Sequence, residues 1–238
     1  MTPAWSEEVY TQRFDRLRQH LFAGDCFQAN LTFPITGTWS GSAEGIFNQL
    51  AEVQKVGHAA FVHLDDTFIL SRSPELFFKI SADRWLESWP MKGTAPRSED
   101  TVSDRKLASD LENDPKNRSE NIMIVDLLRN DISRIAEEGT VDVPKLLEVQ
   151  SFSTVHQMIS RVRGRLLDGT TIRAVFEALF PCGSITGAPK IRTMQILSEL
   201  EGLARNVYCG AIGWIEPSGA MRFNVPIRTF SLYPDKTA

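Results

Sequence analysis

Residues able to do chemistry gather at three places along this 238-residue chain. The first is PMKGTAPR (90–97), which follows a short apolar run, Arg84 to Trp89, that reads as a strand. A proline ends that strand, and Gly93 lets the backbone turn close to whatever Lys92 faces. An amine that is desolvated, or set beside a second cation such as Arg97, loses its proton more readily and becomes a nucleophile or base. The competing reading is a solvated turn lysine, the commoner condition of that residue. The second place is Glu120, one turn before Ile124 on a helix expected over 114–134, whose apolar face carries Ile124, Leu127, Leu128 and Ile135. A carboxylate directed toward that side needs a partner, a cation or a metal ion. A rim pair with an arginine such as Arg118 would also satisfy it. The third is PCGSITGAPK (181–190), a glycine-containing loop opening a helix, whose free amides suit an anion, carboxylate as readily as phosphate. Its spacing matches neither GxxxxGK[ST] nor GxGxxG, which argues against a nucleotide.

The elements that must position these groups can be read from periodicity. Ser6 caps a helix carrying Tyr10, Phe14, Leu17 and Leu21 and stopped by Gly24. Residues 26–33 alternate like a strand, and a second helix carries Ile46, Phe47, Leu50 and Val53. A hairpin is expected over 58–72, closed by Asp65-Asp66, and Ser73-Pro74-Glu75 precedes a strand over 76–80. Residues 98–113 are polar and read as a loop with a short helix. Asp114-Pro115 is a strong helix start. Extended segments follow over 141–165, including Val155 to Ser160. Helices are expected over 171–180 and 191–202, then a hairpin of 207–215 with 221–232, where Pro226 must sit at an edge or bulge. Strands joined by hairpins favour antiparallel sheets, so the expected class is α+β, with sheets packed together and helices outside. Neither an internal repeat nor a linker breaks the chain, so residues 1–238 read as one domain.

Composition narrows the function classes. Hydrophobic residues make up 42% and charged residues 24%, ordinary proportions for a globular protein. The net charge is −4 with no basic block, which points away from nucleic acid and anionic membrane surfaces. Neither a signal-peptide core nor a membrane-length apolar run is evident. Cys26, Cys182 and Cys209 stand at unrelated spacings and read as reduced thiols of a cytoplasmic protein.

Seven blocks, in order, resemble the chorismate-binding enzymes: GDCFQANLT (24–32), SPELF (73–77), PMKGTAPR (90–97), SENIMIVDLLRNDISR (119–134), FPCGSITGAPKIRTMQILSELEG (180–202), YCGAIGW (208–214) and IRTF (227–230). The resemblance runs from about Tyr10 to Phe230. Within the family, a lysine in the 90–97 block resembles the branch that makes 4-amino-4-deoxychorismate on the folate route, whereas anthranilate synthases usually carry alanine there. The resemblance implies that Lys92 attacks C2 of chorismate as the C4 hydroxyl leaves, that ammonia then enters at C4, and that Glu75 is the general acid. It implies Mg2+ held by Glu120, and a pocket lined by Gly93, Thr94, Ser184, Gly187, Lys190, Tyr208 and Arg228. It also implies a glutamine amidotransferase partner that supplies ammonia. The family histidine of the 155–160 block aligns nearer Gln157 than His156, so His156 is equally readable as structural. Asn117 stands where many relatives carry an acidic residue. The family module continues past the IRTF strand and supplies further magnesium carboxylates there, and an N-terminal subdomain precedes it, so the chain reads as shortened at both ends. The alternatives are an anthranilate or isochorismate synthase, or a non-catalytic remnant of the fold.

Overall fold

Short polar side chains decide where most helices begin. Ser6, Ser42, Asp100, Asp114 and Thr171 each accept a hydrogen bond from a backbone N–H in the first turn of the helix that follows. Pro115 then occupies the first helical position after Asp114, where its missing N–H costs nothing. The computed structural model describes residues 1–238 throughout. In chain order its elements are β1 (Thr2–Pro3), α1 (Glu7–Phe22), β2 (Gln28–Ala29), β3 (Ile35–Thr36), α2 (Ala43–Val53), β4 (His58–Leu64) and β5 (Thr67–Ser73). They continue with β6 (Leu76–Ile80), β7 (Trp85–Ser88), β8 (Met91–Pro96), α3 (Thr101–Asn113), α4 (Pro115–Ser133), β9 (Asp142–Ser151) and β10 (Val155–Arg165). The last are α5 (Ile172–Leu179), α6 (Gly183–Thr186), β11 (Gly187–Ala188), α7 (Lys190–Glu201), β12 (Ile212–Ile215), β13 (Met221–Asn224) and β14 (Thr229–Leu232).

Backbone contacts divide the chain into two units. One comprises Met1–Pro74, Ile185–Ile212 and Asn224–Ala238; the other comprises Glu75–Ser184 and Gly213–Phe223. In the first, β4 and β5 form the hairpin, with Leu64 opposite Thr67, and β14 joins the far edge of β5. Leu70 and Leu232 are buried with Ala43, against Ile46 and Phe47 of α2. Helix α1 packs on α7 through Leu17, Ile196 and Leu200, with Cys26 between them. A buried ion pair ties the end of α7 to its surroundings. Arg205 bonds both oxygens of Glu201 (2.9 and 2.6 Å) and reaches the carbonyls of Ile185 and Asn30, while Thr32 donates its N–H to Glu201.

The second unit is built on a seven-stranded sheet in the order β12-β13-β6-β7-β10-β8, with β9 also paired to β10. The pairs β6–β7, β7–β10, β8–β10 and β9–β10 are all antiparallel, as are those of the first unit's hairpin. The class is therefore α+β, as expected. Helix α4 lies on β10 and buries Ile124, Val125, Leu128 and Ile132. A polar clamp fixes it there: Ser160 Oγ donates to Asn121 Oδ1 at 2.6 Å and accepts the Leu147 N–H at 2.9 Å. None of the helices is long and apolar enough to cross a membrane.

Several expectations need correction. Residues 98–113 are mostly one 13-residue helix, α3, whose single buried side chain, Leu111, gave little periodic signal. Residues 26–33 are mostly irregular, and only Gln28–Ala29 pair, with β11. The strand expected over 221–232 is two strands in different sheets, separated at Val225–Arg228 around Pro226, which cannot donate to a ladder. The partner strand expected from 207 begins only at Ile212. Lys92 is not in a turn; it lies in β8.

Because the guanidinium of Arg205 is the counter-charge of a buried carboxylate, Arg205→Ala leaves Glu201 buried and unpaired. Urea unfolding should show a loss of about 3 kcal/mol. Glu201→Gln in the Arg205→Ala background should recover part of that loss.

Candidate active site

The strand bearing Lys92 does not pair evenly. Met91 stands opposite Ile159 and Thr94 opposite Gln157, so Lys92 and Gly93 together face the single residue Met158. This is a β-bulge, a device that re-aims a side chain and is frequent beside active sites. Gly93 holds a φ of +93°, and a Cβ there would come within 3.0 Å of the Asn117 side chain on α4. Both facts favour glycine at this position. The proline, lysine and glycine that suggested a turn thus encode a bulge inside a continuous ladder. Arg97 is not the cation beside Lys92, because it is engaged by Asp104 through two hydrogen bonds, 2.8 and 2.9 Å.

Glu75 sits at the entry to β6 with only 4% of its surface exposed. Its Oε1 accepts the hydroxyl of Ser184 at 2.7 Å. Burial pushes the carboxyl up to about 7, against the lowering effects of the Ser184 hydrogen bond, the nearby Lys92 charge and the Met91 backbone N–H. A carboxyl that keeps its proton near neutrality, facing an amine, has the properties of a general acid. Ser184 in turn contacts Cys182 Sγ at 3.2 Å.

The structure brings Glu75, Lys92, Gly93, Thr94, Ser184 and Glu120 into one unit. Thr94 Oγ1 accepts a hydrogen bond from Gln157 Nε2 at 3.1 Å, so Gln157 shares the neighbourhood of the bulge. His156 is 1% exposed and held on both sides, by Asp104 at 2.9 Å and Ser151 at 2.8 Å; it is a structural histidine. Asp104, bonded by Arg97, by the Ser98 N–H and by His156, is held well below the usual carboxylate range. Gly187, Lys190, Tyr208 and Arg228 belong to the other unit. There Gly187 has a φ of +142°, and a Cβ would meet the Gln28 carbonyl at 2.0 Å, so only glycine fits against β2. Burial, and the neighbouring Cys209, push the Tyr208 phenol up to about 12. Arg228 takes a positive φ (52°) at the break before β14. The Met91 N–H is a contributor to the site that side-chain motifs could not announce.

Glu120 has its cation in Lys116, one turn earlier on α4 and 4.0 Å away, and not in Arg118, which bonds the Glu112 carbonyl. No group of three His, Cys, Asp or Glu side chains able to hold a metal ion is assembled in the chain. Mg2+ demands oxygen ligands in octahedral array and usually takes one or two carboxylates along with substrate and water. Glu120 offers one such carboxylate, beside an ammonium that competes for it, so these residues do not by themselves make a magnesium cage.

Comparison with known proteins bears on this geometry. The family model described as chorismate binding enzyme matches residues 1–238. Aminodeoxychorismate synthase component 1 of Klebsiella aerogenes is 41% identical over 237 residues, covering 98% of this chain and 52% of that protein. Anthranilate synthase component 1 of Methanothermobacter thermautotrophicus is 34% identical, covering 96% of this chain and 49% of that protein. The crystal structure of anthranilate synthase component I from Streptococcus pneumoniae superposes with a TM-score of 0.91 at 32% identity, covering 99% of this chain and 52% of that one. The chain spans about half the length of the curated relatives it matches.

The raised Glu75 proton affinity has a stability consequence. The group titrates near 4.5 when unfolded and about 7 when folded. Ionising it therefore opposes folding, with no cost below about pH 4.5 and the full cost above about pH 7. Glu75→Gln should stabilise the protein by roughly 3 kcal/mol at pH 8, with the gain fading toward pH 4.5. Parallel urea titrations at pH 5 and 8 would show it.

Proposed function

Because the chain belongs to the chorismate-binding enzyme family, we propose that it catalyses the conversion of chorismate and ammonia to 4-amino-4-deoxychorismate. The observation that carries this reading is the pairing of an amine on a β-bulge, Lys92, with a buried carboxyl that titrates near neutrality, Glu75. The Lys92 amine, deprotonated, forms a bond to C2 of chorismate. The C4–O bond breaks, and Glu75 gives its proton to the departing hydroxyl, which leaves as water. Ammonia then bonds to C4 as the C2–N bond to Lys92 breaks, and the new ammonium returns a proton to Glu75. Water is the only by-product, and both residues end as they began.

The substrate is a dianion, and the reading assigns it to Gly93, Thr94, Ser184, Gly187, Lys190, Tyr208 and Arg228, with cation, guanidinium and oriented amides meeting the carboxylates. Mg2+, held by Glu120 together with substrate oxygens, would neutralise charge on the ring carboxylate; no step above is assigned to it. The name component 1 of the bacterial relatives supports a second component, and a glutamine amidotransferase supplying ammonia fits the chemistry. A single family match over residues 1–238 supports treating them as one catalytic domain. Three free cysteines fit a reducing, cytoplasmic setting. Lys92 weighs against an anthranilate synthase, which needs no amine at that position, and its partner Glu75 weighs against a remnant without turnover.

Three measurements test the proposal. Incubation with chorismate, Mg2+ and ammonia, with the product identified by mass and retention, should give aminodeoxychorismate. Anthranilate or isochorismate would reject the assignment. Lys92→Ala should abolish turnover, and Glu75→Gln should lower it by about 100- to 10,000-fold. Normal turnover by Lys92→Ala would exclude the covalent role. Calorimetry of the 238-residue chain should show weak magnesium and weak chorismate binding, since no group of three His, Cys, Asp or Glu side chains is assembled to hold the ion beside Glu120. Tight magnesium-dependent chorismate binding would show that one carboxylate suffices.

A further inference from the structure

Ser184 donates its hydroxyl to Glu75 Oε1 at 2.7 Å. Cys182 Sγ lies 3.2 Å from Ser184 Oγ, and either atom can donate in that contact, which seats the hydroxyl from behind. The result is a chain of contacts from the Cys182 thiol to the Ser184 hydroxyl and from the Ser184 O–H to the Glu75 carboxyl. All three residues are buried, with exposures of 2%, 6% and 4%. Hydrogen bonds in series polarise one another, and water does not compete for them in a dry site. The three residues sit where α5 gives way to α6 and where β6 begins, so backbone elements fix both ends of the chain.

We propose that Ser184, seated by Cys182, is a positioning residue that aims the Glu75 carboxyl and sets how readily it releases its proton. A donor hydrogen bond is stronger to a carboxylate than to a carboxylic acid, so it strengthens as the proton leaves. Ser184 therefore favours the species that exists after Glu75 has protonated the leaving hydroxyl. That is help delivered as the reaction proceeds and not in the ground state. Lys92 is the charged group facing Glu75 from β8 and acts in the same direction; the Met91 N–H is the third contributor. The proposal rests on reading Glu75 as the acid, but its physical content does not require turnover.

The test is a titration of Glu75 followed by carboxyl carbon NMR on the 238-residue chain labelled in glutamate, with Glu75→Gln assigning the resonance. Ser184→Ala should raise the Glu75 midpoint by about one unit, the loss of one hydrogen bond to a charged acceptor. Ser184→Thr, which keeps the hydroxyl, should leave the midpoint where it is in the parent. Cys182→Ala removes the thiol contact behind Ser184 and should raise the midpoint by less; it serves as the deciding variant should Ser184→Ala not fold. An unmoved or lowered midpoint in the folded variants would overturn the proposal. In the proposed reaction the same shift should appear in the pH profile of kcat/KM. A shift seen by NMR without any turnover in the parent would leave this proposal standing and reject the assigned reaction instead.

Discussion

Strand β10 is the constraint on which the second unit depends. It pairs with β7 and β8, which follow one another along the chain, and with β9. Between Ser88 and Met91 the polypeptide must pass from one partner segment to the next without leaving the sheet, and the Ser160 N–H holds the Pro90 carbonyl at 3.2 Å while it does so. The mismatch in spacing is absorbed immediately afterwards, where two residues of β8 face one of β10. Lys92 owes its position to that accommodation. Helix α4 enforces the same geometry from above, because Asn121 grips β10 while Asn117, one turn earlier, fills the space that a glycine leaves open.

The two most perturbed carboxyls of this unit show how little residue type decides. Glu75 has three contributors favouring its charge, the Ser184 hydroxyl, Lys92 and the Met91 N–H, yet burial outweighs them and its proton is retained near neutrality. Asp104 stands half-buried in the first turn of α3, bonded by Arg97 through a fork of two N–H donors, and is ionised far into acid. Desolvation governs the first and a guanidinium governs the second. His156 belongs to the second environment; its aromatic nitrogens are consumed in joining α3 to β9 and β10, which removes it from the chemistry.

Much of this was legible in the chain itself. Asp114 with Pro115 placed the start of α4, Gly202 with its positive φ stopped α7, and Asp65-Asp66 closed the β4–β5 hairpin. Each of these signals is complete within a few residues. What could not be read depended on distant partners. The 90–97 segment has every mark of a turn, and only its register against β10 turns it into a bulge. Helix α3 is polar nearly all round and earned its helicity from an Asp100 cap and from Asp104 reaching back to Arg97 and the Ser98 N–H. Family blocks named Ser184 as a pocket residue, but its bond to Glu75 across more than a hundred positions is a tertiary fact.

The closeness of Lys92 to Glu75 has a further consequence. Under the roles proposed, chemistry needs the amine without its extra proton and the carboxyl with one. The resting alternative is ammonium beside carboxylate. Those two arrangements contain the same number of protons and the same net charge; they are tautomers related by a transfer within the pair. Bulk pH cannot shift the ratio between tautomers of equal proton count. Across the interval in which the pair holds a single shared proton, the competent fraction is therefore constant, fixed by the desolvation of Glu75 and by the donors around it. The pH tolerance of the proposed reaction is then a property of local polarity, and its limits are the points where the pair gains a second proton or loses its last.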